Sequence, residues 1–194
     1  MKSVTDIRIG VLAIQGAFQT HKPHIESLGA KYIEVRDSDD FNEIDGLILP
    51  GGESGTVLKL IDLVGIKNSL KSFAKSKPVW GVCAGAILMA SKVHGPEQES
   101  FGAMEIEIIR NAYGRQAHSS EETIDNFRVS YIRAPKITKV APALKVLASR
   151  DKDPVWVESD LHMVTTFHPE MSQIFGSRWH QRLISKCKAT VQLR

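Results

Sequence analysis

Pro78-Val79-Trp80-Gly81-Val82-Cys83-Ala84-Gly85 reads as a short apolar strand that turns at a cysteine into a helix. The strand is Pro78 to Val82, and the helix is predicted over Ala84 to Ser91. Similar units precede it. Ile7 to Ile14 is a mostly apolar run of the kind a buried parallel strand shows. A helix is predicted over His21 to Leu28, with Pro23 tolerated in its first turn and Gly29 as its stop. Strands follow at Lys31 to Val35 and Gly46 to Leu49, then helices over Ser54 to Leu63 and Ile66 to Ser76. Repeated βα units imply a mostly parallel sheet with helices on both faces, an α/β sandwich.

Beyond Ser91 the pattern changes. Met104, Ile106 and Ile108 alternate with Glu105 and Glu107, as in a strand wet on one face. Short strands are predicted at Arg128 to Ile132, Lys145 to Leu147, Val155 to Glu158 and Leu161 to Thr166, in antiparallel pairs. Asn111 to Asp125 is polar and reads as a loop or lid, and a closing helix is expected over Ser177 to Lys188. No linker or repeat divides the 194 residues, so a single domain over 1–194 is expected.

Composition narrows the function classes. Charged residues make up 24% and the net charge is +3, with basic residues scattered, which argues against a nucleic-acid surface. No apolar stretch approaches a membrane span. Met1 to Arg8 lacks the apolar core of a signal peptide, so a cytoplasmic location is expected. Cys83 and Cys187 are too few for a disulfide framework, and no Cys/His cluster has zinc-like spacing, so no metal is expected.

Three stretches carry chemistry. Gly81-Val82-Cys83-Ala84-Gly85 has the form of a nucleophile elbow, with sulfur in place of oxygen. A following helix would aim its N-terminus at the sulfur and favour the thiolate, and the Ala84 N–H would be placed to hold an oxyanion. Phe167-His168-Pro169-Glu170 supplies a base and its orienting carboxylate, two residues apart on an extended backbone. Pro169 keeps His168 extended. The other histidines are His21, His24, His94, His118, His162 and His180, and none combines a strand end, a proline and a carboxylate neighbour. Pro50-Gly51-Gly52-Glu53-Ser54-Gly55 ends a strand, where adjacent glycines let backbone N–H groups face a ligand or oxyanion. Cys187, between two lysines of the last helix, reads as structural or incidental.

Together these stretches resemble the class I glutamine amidotransferase family. Leu12-Ala13-Ile14-Gln15-Gly16, Arg110-Asn111-Ala112-Tyr113-Gly114-Arg115-Gln116 and Tyr131-Ile132-Arg133-Ala134-Pro135 narrow the likeness to the glutaminase subunits of pyridoxal 5′-phosphate synthases. The resemblance implies a flavodoxin-like fold and hydrolysis of L-glutamine to glutamate and ammonia. It implies Cys83 as nucleophile, His168 as base and Glu170 as its orienter. Gly52, Glu53, Ser54, Arg115, Ile132 and Arg133 would contact glutamine, with Gly51, Gly52 and Ala84 at the oxyanion. The implied partner is a (β/α)8-barrel synthase subunit that makes pyridoxal phosphate, a product this chain is not expected to bind as a cofactor. The sequence departs from the family pattern at Gly55, Val82 and Ala117 to Glu121. Competing readings are a glutaminase serving another synthase, such as that for imidazole glycerol phosphate, a cysteine hydrolase of related fold, and a non-catalytic binding subunit.

Overall fold

The computed structural model describes residues 6–112, 120–124 and 126–192. Its centre is a seven-stranded sheet in the order β10-β11-β12-β4-β3-β1-β2. β1 (Arg8–Leu12), β2 (Lys31–Val35), β3 (Gly46–Leu49), β4 (Val79–Val82) and β12 (Met163–Thr165) run parallel. β11 (Asp153–Glu158) and β10 (Lys145–Arg150) extend the β12 edge in antiparallel fashion.

The central strands are buried on both faces, which is why they read as continuous apolar runs. Their side chains alternate between two cores. Leu47, Leu49 and Val79 join one, and Ile48, Trp80 and Val82 join the other. Val57, Leu58 and Ile61 of α2 (Ser54–Leu63) cover the first face, with Leu70 and Phe73 of α3 (Lys67–Ala74) and most of α4 (Ala84–Met89). Ile25 of α1 (Lys22–Ser27) and Trp179, Leu183, Ile184 and Cys187 of α5 (Arg178–Gln192) cover the second. The result is the α/β sandwich that the sequence pattern implies, in the three-layer, flavodoxin-like form that the family resemblance implies.

The second half differs from its expected layout in three places. The helix after Cys83 stops at Met89, and Ala90 and Ser91 open strand β5 (Ala90–His94). β5 pairs in parallel with β6 (Met104–Ile109), which pairs with β9 (Lys136–Val140), a strand the sequence reading did not contain. Part of the predicted polar loop forms β7 (Ser120–Ile124), in a hairpin with β8 (Phe127–Tyr131). Lys136–Val140 and Ser120–Ile124 are polar at alternate positions and stand at sheet margins, so their apolar signal is weak. Cys187 is fully buried, its sulfur packed against Gly46, and burial pushes its thiol up, in keeping with a structural role.

Candidate active site

Four neighbouring parallel strands deliver four loops to one edge of the sheet. Gln15 and Gly16 lie beyond β1, Gly51 to Ser54 after β3, Cys83 after β4 and His168 beyond β12. All line one cleft of about 290 Å³, together with Ala17, Ala84, Arg110, Ile132, Arg133 and Met171. Ligand sites in open α/β sheets form at this carboxyl edge.

Cys83 occupies a strained backbone, φ 50 and ψ −102, between β4 and α4. Such a conformation costs roughly 1–3 kcal/mol and is sustained by its surroundings. Its N–H is tied to the Thr165 carbonyl at 2.8 Å. The flanking glycines are steric necessities. A Cβ at Gly81 would sit 2.5 Å from the Gly85 oxygen, and one at Gly85 would sit 2.0 Å from the Leu49 oxygen. The thiol is nearly buried and points at the Ile132 carbonyl, 3.9 Å away.

His168 enters from the opposite side, on a backbone bridge to Ser130 of β8. Its Nδ1–H donates to Glu170 Oε1 at 2.7 Å, leaving Nε2 for the hydrogen bond with Cys83. Both His168 and Glu170 are buried. Burial alone would pull the imidazole down. The hydrogen bonds to Cys83 and Glu170 and the charge of Glu170 outweigh it and bring His168 up to about 10. Burial likewise opposes the charge of Glu170, but His21 and His168 hold it below the ordinary carboxylate value. The arrangement is a thiol, a protonated base and a carboxylate in series. α4 has only six residues, so the main counter-charge for a thiolate is the His168 imidazolium rather than a long helix dipole.

The glycine-rich loop is held by the loop after β1. Ala17 N–H donates to the Gly51 carbonyl at 3.0 Å, and Glu53 N–H donates to Gln15 Oε1 at 3.1 Å. The Glu53 carboxylate caps α2 through the Gly55 N–H and pairs with Arg110 at 3.1 Å. Ser54 Oγ–H donates to Gln98 Oε1 at 2.9 Å. Ile132 and Arg133 reach the cleft from the end of β8, with Arg133 exposed at φ 45. Arg115 lies outside the described residues. Gln15 and Arg110 stood inside quoted motifs without a role; only the folded contacts with Glu53 single them out.

Residues 11–189 match the SNO glutamine amidotransferase family. The chain belongs to that family. A protein of Solibacter usitatus named "Pyridoxal 5'-phosphate synthase subunit PdxT" is 42% identical over 191 residues, covering 92% of this chain and 98% of its own length. A protein of the same name from Koribacter versatilis is 44% identical over 172 residues, covering 86% of this chain and 89% of its own. A crystal structure titled as a glutamine amidotransferase superposes with a TM-score of 0.85 at 35% identity, over 93% of this chain and 98% of that one. The α/β fold of the family is therefore also the fold of this chain.

Proposed function

We propose that this chain is the glutaminase subunit of a pyridoxal 5′-phosphate synthase, a single cytoplasmic domain whose ammonia passes to a (β/α)8-barrel synthase subunit. The observation that carries the reading is the series Cys83, His168 and Glu170: Cys83 and His168 line one cleft, and Nδ1 of His168 is locked at 2.7 Å to the buried Glu170 behind it. The names and coverage of the relatives support the same reading.

The chemistry is acyl transfer. The Cys83 thiolate attacks the side-chain amide carbon of L-glutamine. Backbone N–H groups of the Gly51–Gly52 loop and of Ala84 stabilise the tetrahedral oxyanion, each donor being worth roughly 3–4 kcal/mol of barrier. His168 protonates the departing ammonia and leaves a thioester on Cys83. The imidazole, now neutral, takes a proton from water. Hydroxide addition expels the thiolate and releases glutamate. Glu170 holds the His168 tautomer throughout. Glu53 suits the α-ammonium of the substrate, and the guanidinium of Arg133 suits its α-carboxylate, a role the family resemblance extends to Arg115. Gly52, Ser54 and Ile132 complete the binding surface.

The test is ammonia release from glutamine by wild type and Cys83→Ala, each with and without the synthase subunit. Wild type with its partner releases ammonia and the variant does not. Activity that survives the substitution would sink the reading.

A further inference from the structure

Behind Glu170, on the side away from the cleft, lies a polar cluster that the acyl-transfer scheme does not use. His21, His24, His180 and Ser177 are each at most 1% exposed. The 3-10 turn Gln19–His21 packs against the turn Pro169–Met171 that carries Glu170. His24 and His180 stack with ring centroids 4.7 Å apart, and Trp80 closes the cluster edge-on to His180 at 4.9 Å.

The hydrogen bonds of this cluster have a direction. The Ser177 N–H donates to His24 Nδ1 at 3.4 Å. Neutral His24 therefore carries its proton on Nε2, which meets the Glu170 backbone oxygen at 3.3 Å. Ser177 Oγ meets His180 Nδ1 at 2.6 Å, and His180 Nε2 meets His21 Nδ1 at 3.0 Å. Burial keeps all three imidazoles neutral, with His21 down to about 4. A neutral ring donates from one nitrogen only. The chain then has two possible senses: either the Ser177 hydroxyl starts it and His21 ends with an Nε2–H, or the order runs backwards and His21 ends with a bare Nε2.

Two loose ends select the sense. His21 Nε2 and Glu170 Oε2 are both buried without a hydrogen-bond partner. His21 and His168 are the two imidazoles whose electrostatic influence reaches Glu170. A bare nitrogen beside a buried carboxylate would leave two acceptors unsatisfied, a cost of about 1–3 kcal/mol each. An N–H there serves both. We propose that His21 is a positioning residue of the triad: Ser177 and His180 impose its Nε2–H tautomer, and that N–H holds the second oxygen of Glu170 while the first holds His168. The carboxylate is then fixed at both ends and cannot rotate away from His168. This proposal deepens the glutaminase reading and rests on it for the role of the triad.

Two measurements decide it, neither of which requires glutamine. In wild type, long-range ¹H–¹⁵N correlation of histidine side chains at neutral pH should show His21, His24 and His180 all protonated on Nε2. An Nδ1–H form of His21 would overturn the proposal even if every variant failed to fold. The second measurement is the pH profile of Cys83 alkylation by iodoacetamide in Cys187→Ser protein, compared with His21→Leu and His21→Gln on that background. Losing a hydrogen bond to the charged Glu170 weakens its hold on the His168 imidazolium. The inflection should move up by about one pH unit in His21→Leu and return most of the way in His21→Gln, whose amide can donate. An unmoved inflection in a folded His21→Leu would reduce His21 to a packing role and overturn the proposal. Should the wild-type complex release no ammonia from glutamine, the glutaminase reading fails by itself, and the tautomer and alkylation results still stand or fall separately.

Discussion

Acid should destabilise this protein steeply, and the structure says where. His21 and His162 are buried, and burial brings each down to about 4. In the unfolded chain both titrate near 6.5. Between those values the unfolded state binds protons that the folded state refuses, so stability rises with pH. The stabilising contribution is fully present above about 6.5 and is lost as pH falls towards about 4. Each histidine contributes at most about 3 kcal/mol over that window, or roughly 1.4 kcal/mol per pH unit. Two together approach about 6 kcal/mol, a large share of the roughly 5–15 kcal/mol typical of a domain. His24 and His180 are lowered too and steepen the loss. Glu170, also lowered, adds its own loss below the ordinary carboxylate value. His168 has the opposite sign. Raised to about 10, it contributes stability that is fully present below about 6.5 and is lost as pH rises towards about 10. Its presence therefore offsets little of the acid loss and produces an alkaline limb instead. Urea unfolding followed by the fluorescence of the buried Trp80 and Trp179 between pH 7 and 4.5 is the assay. A steep fall in unfolding free energy on acidification is expected. A stability that stays level, or rises, as pH falls through this range would refute the reasoning.

Other outcomes follow from particular contacts. In Gly51→Ala the new Cβ would lie 2.3 Å from His168 Cε1, so the imidazole must shift; kcat for ammonia release should fall by roughly a hundredfold while the thermal midpoint changes little. Gly85→Ala drives a Cβ to 2.0 Å from the Leu49 carbonyl, backbone that cannot yield, and should cost about 3 kcal/mol or more in urea unfolding. Glu158 is buried and accepts from Arg182 at 2.9–3.1 Å while pairing with the buried Lys186 at 3.3 Å; Glu158→Gln should cost about 3 kcal/mol, read as a lowered urea midpoint with the glutaminase rate per folded molecule retained.

Much of this was written into local sequence. The parallel half was legible because strands buried on both faces must be apolar at every position, and Val79 to Val82 and Gly46 to Leu49 are. The elbow was legible because Gly81 and Gly85 bracket Cys83 at a strand-to-helix turn, where nothing larger fits. His168 and Glu170 were legible because they sit two apart around a proline. The marginal strands β5, β7 and β9 were not. Their residues are half polar, so pairing rather than propensity decides them, with a neighbouring hairpin strand for β7 and with β6 for β5 and β9. The same holds for the contacts that tune the site. Gln15 reaches Glu53 across 38 positions, Arg110 reaches it across 57, and His21 reaches His180 across 159. Each is an ordinary polar residue in its local window. The sequence by itself determined which groups could react. Only the tertiary structure decided which of them share a cleft, because the parallel crossovers bring the ends of β1, β3, β4 and β12 side by side, and burial there sets their charge.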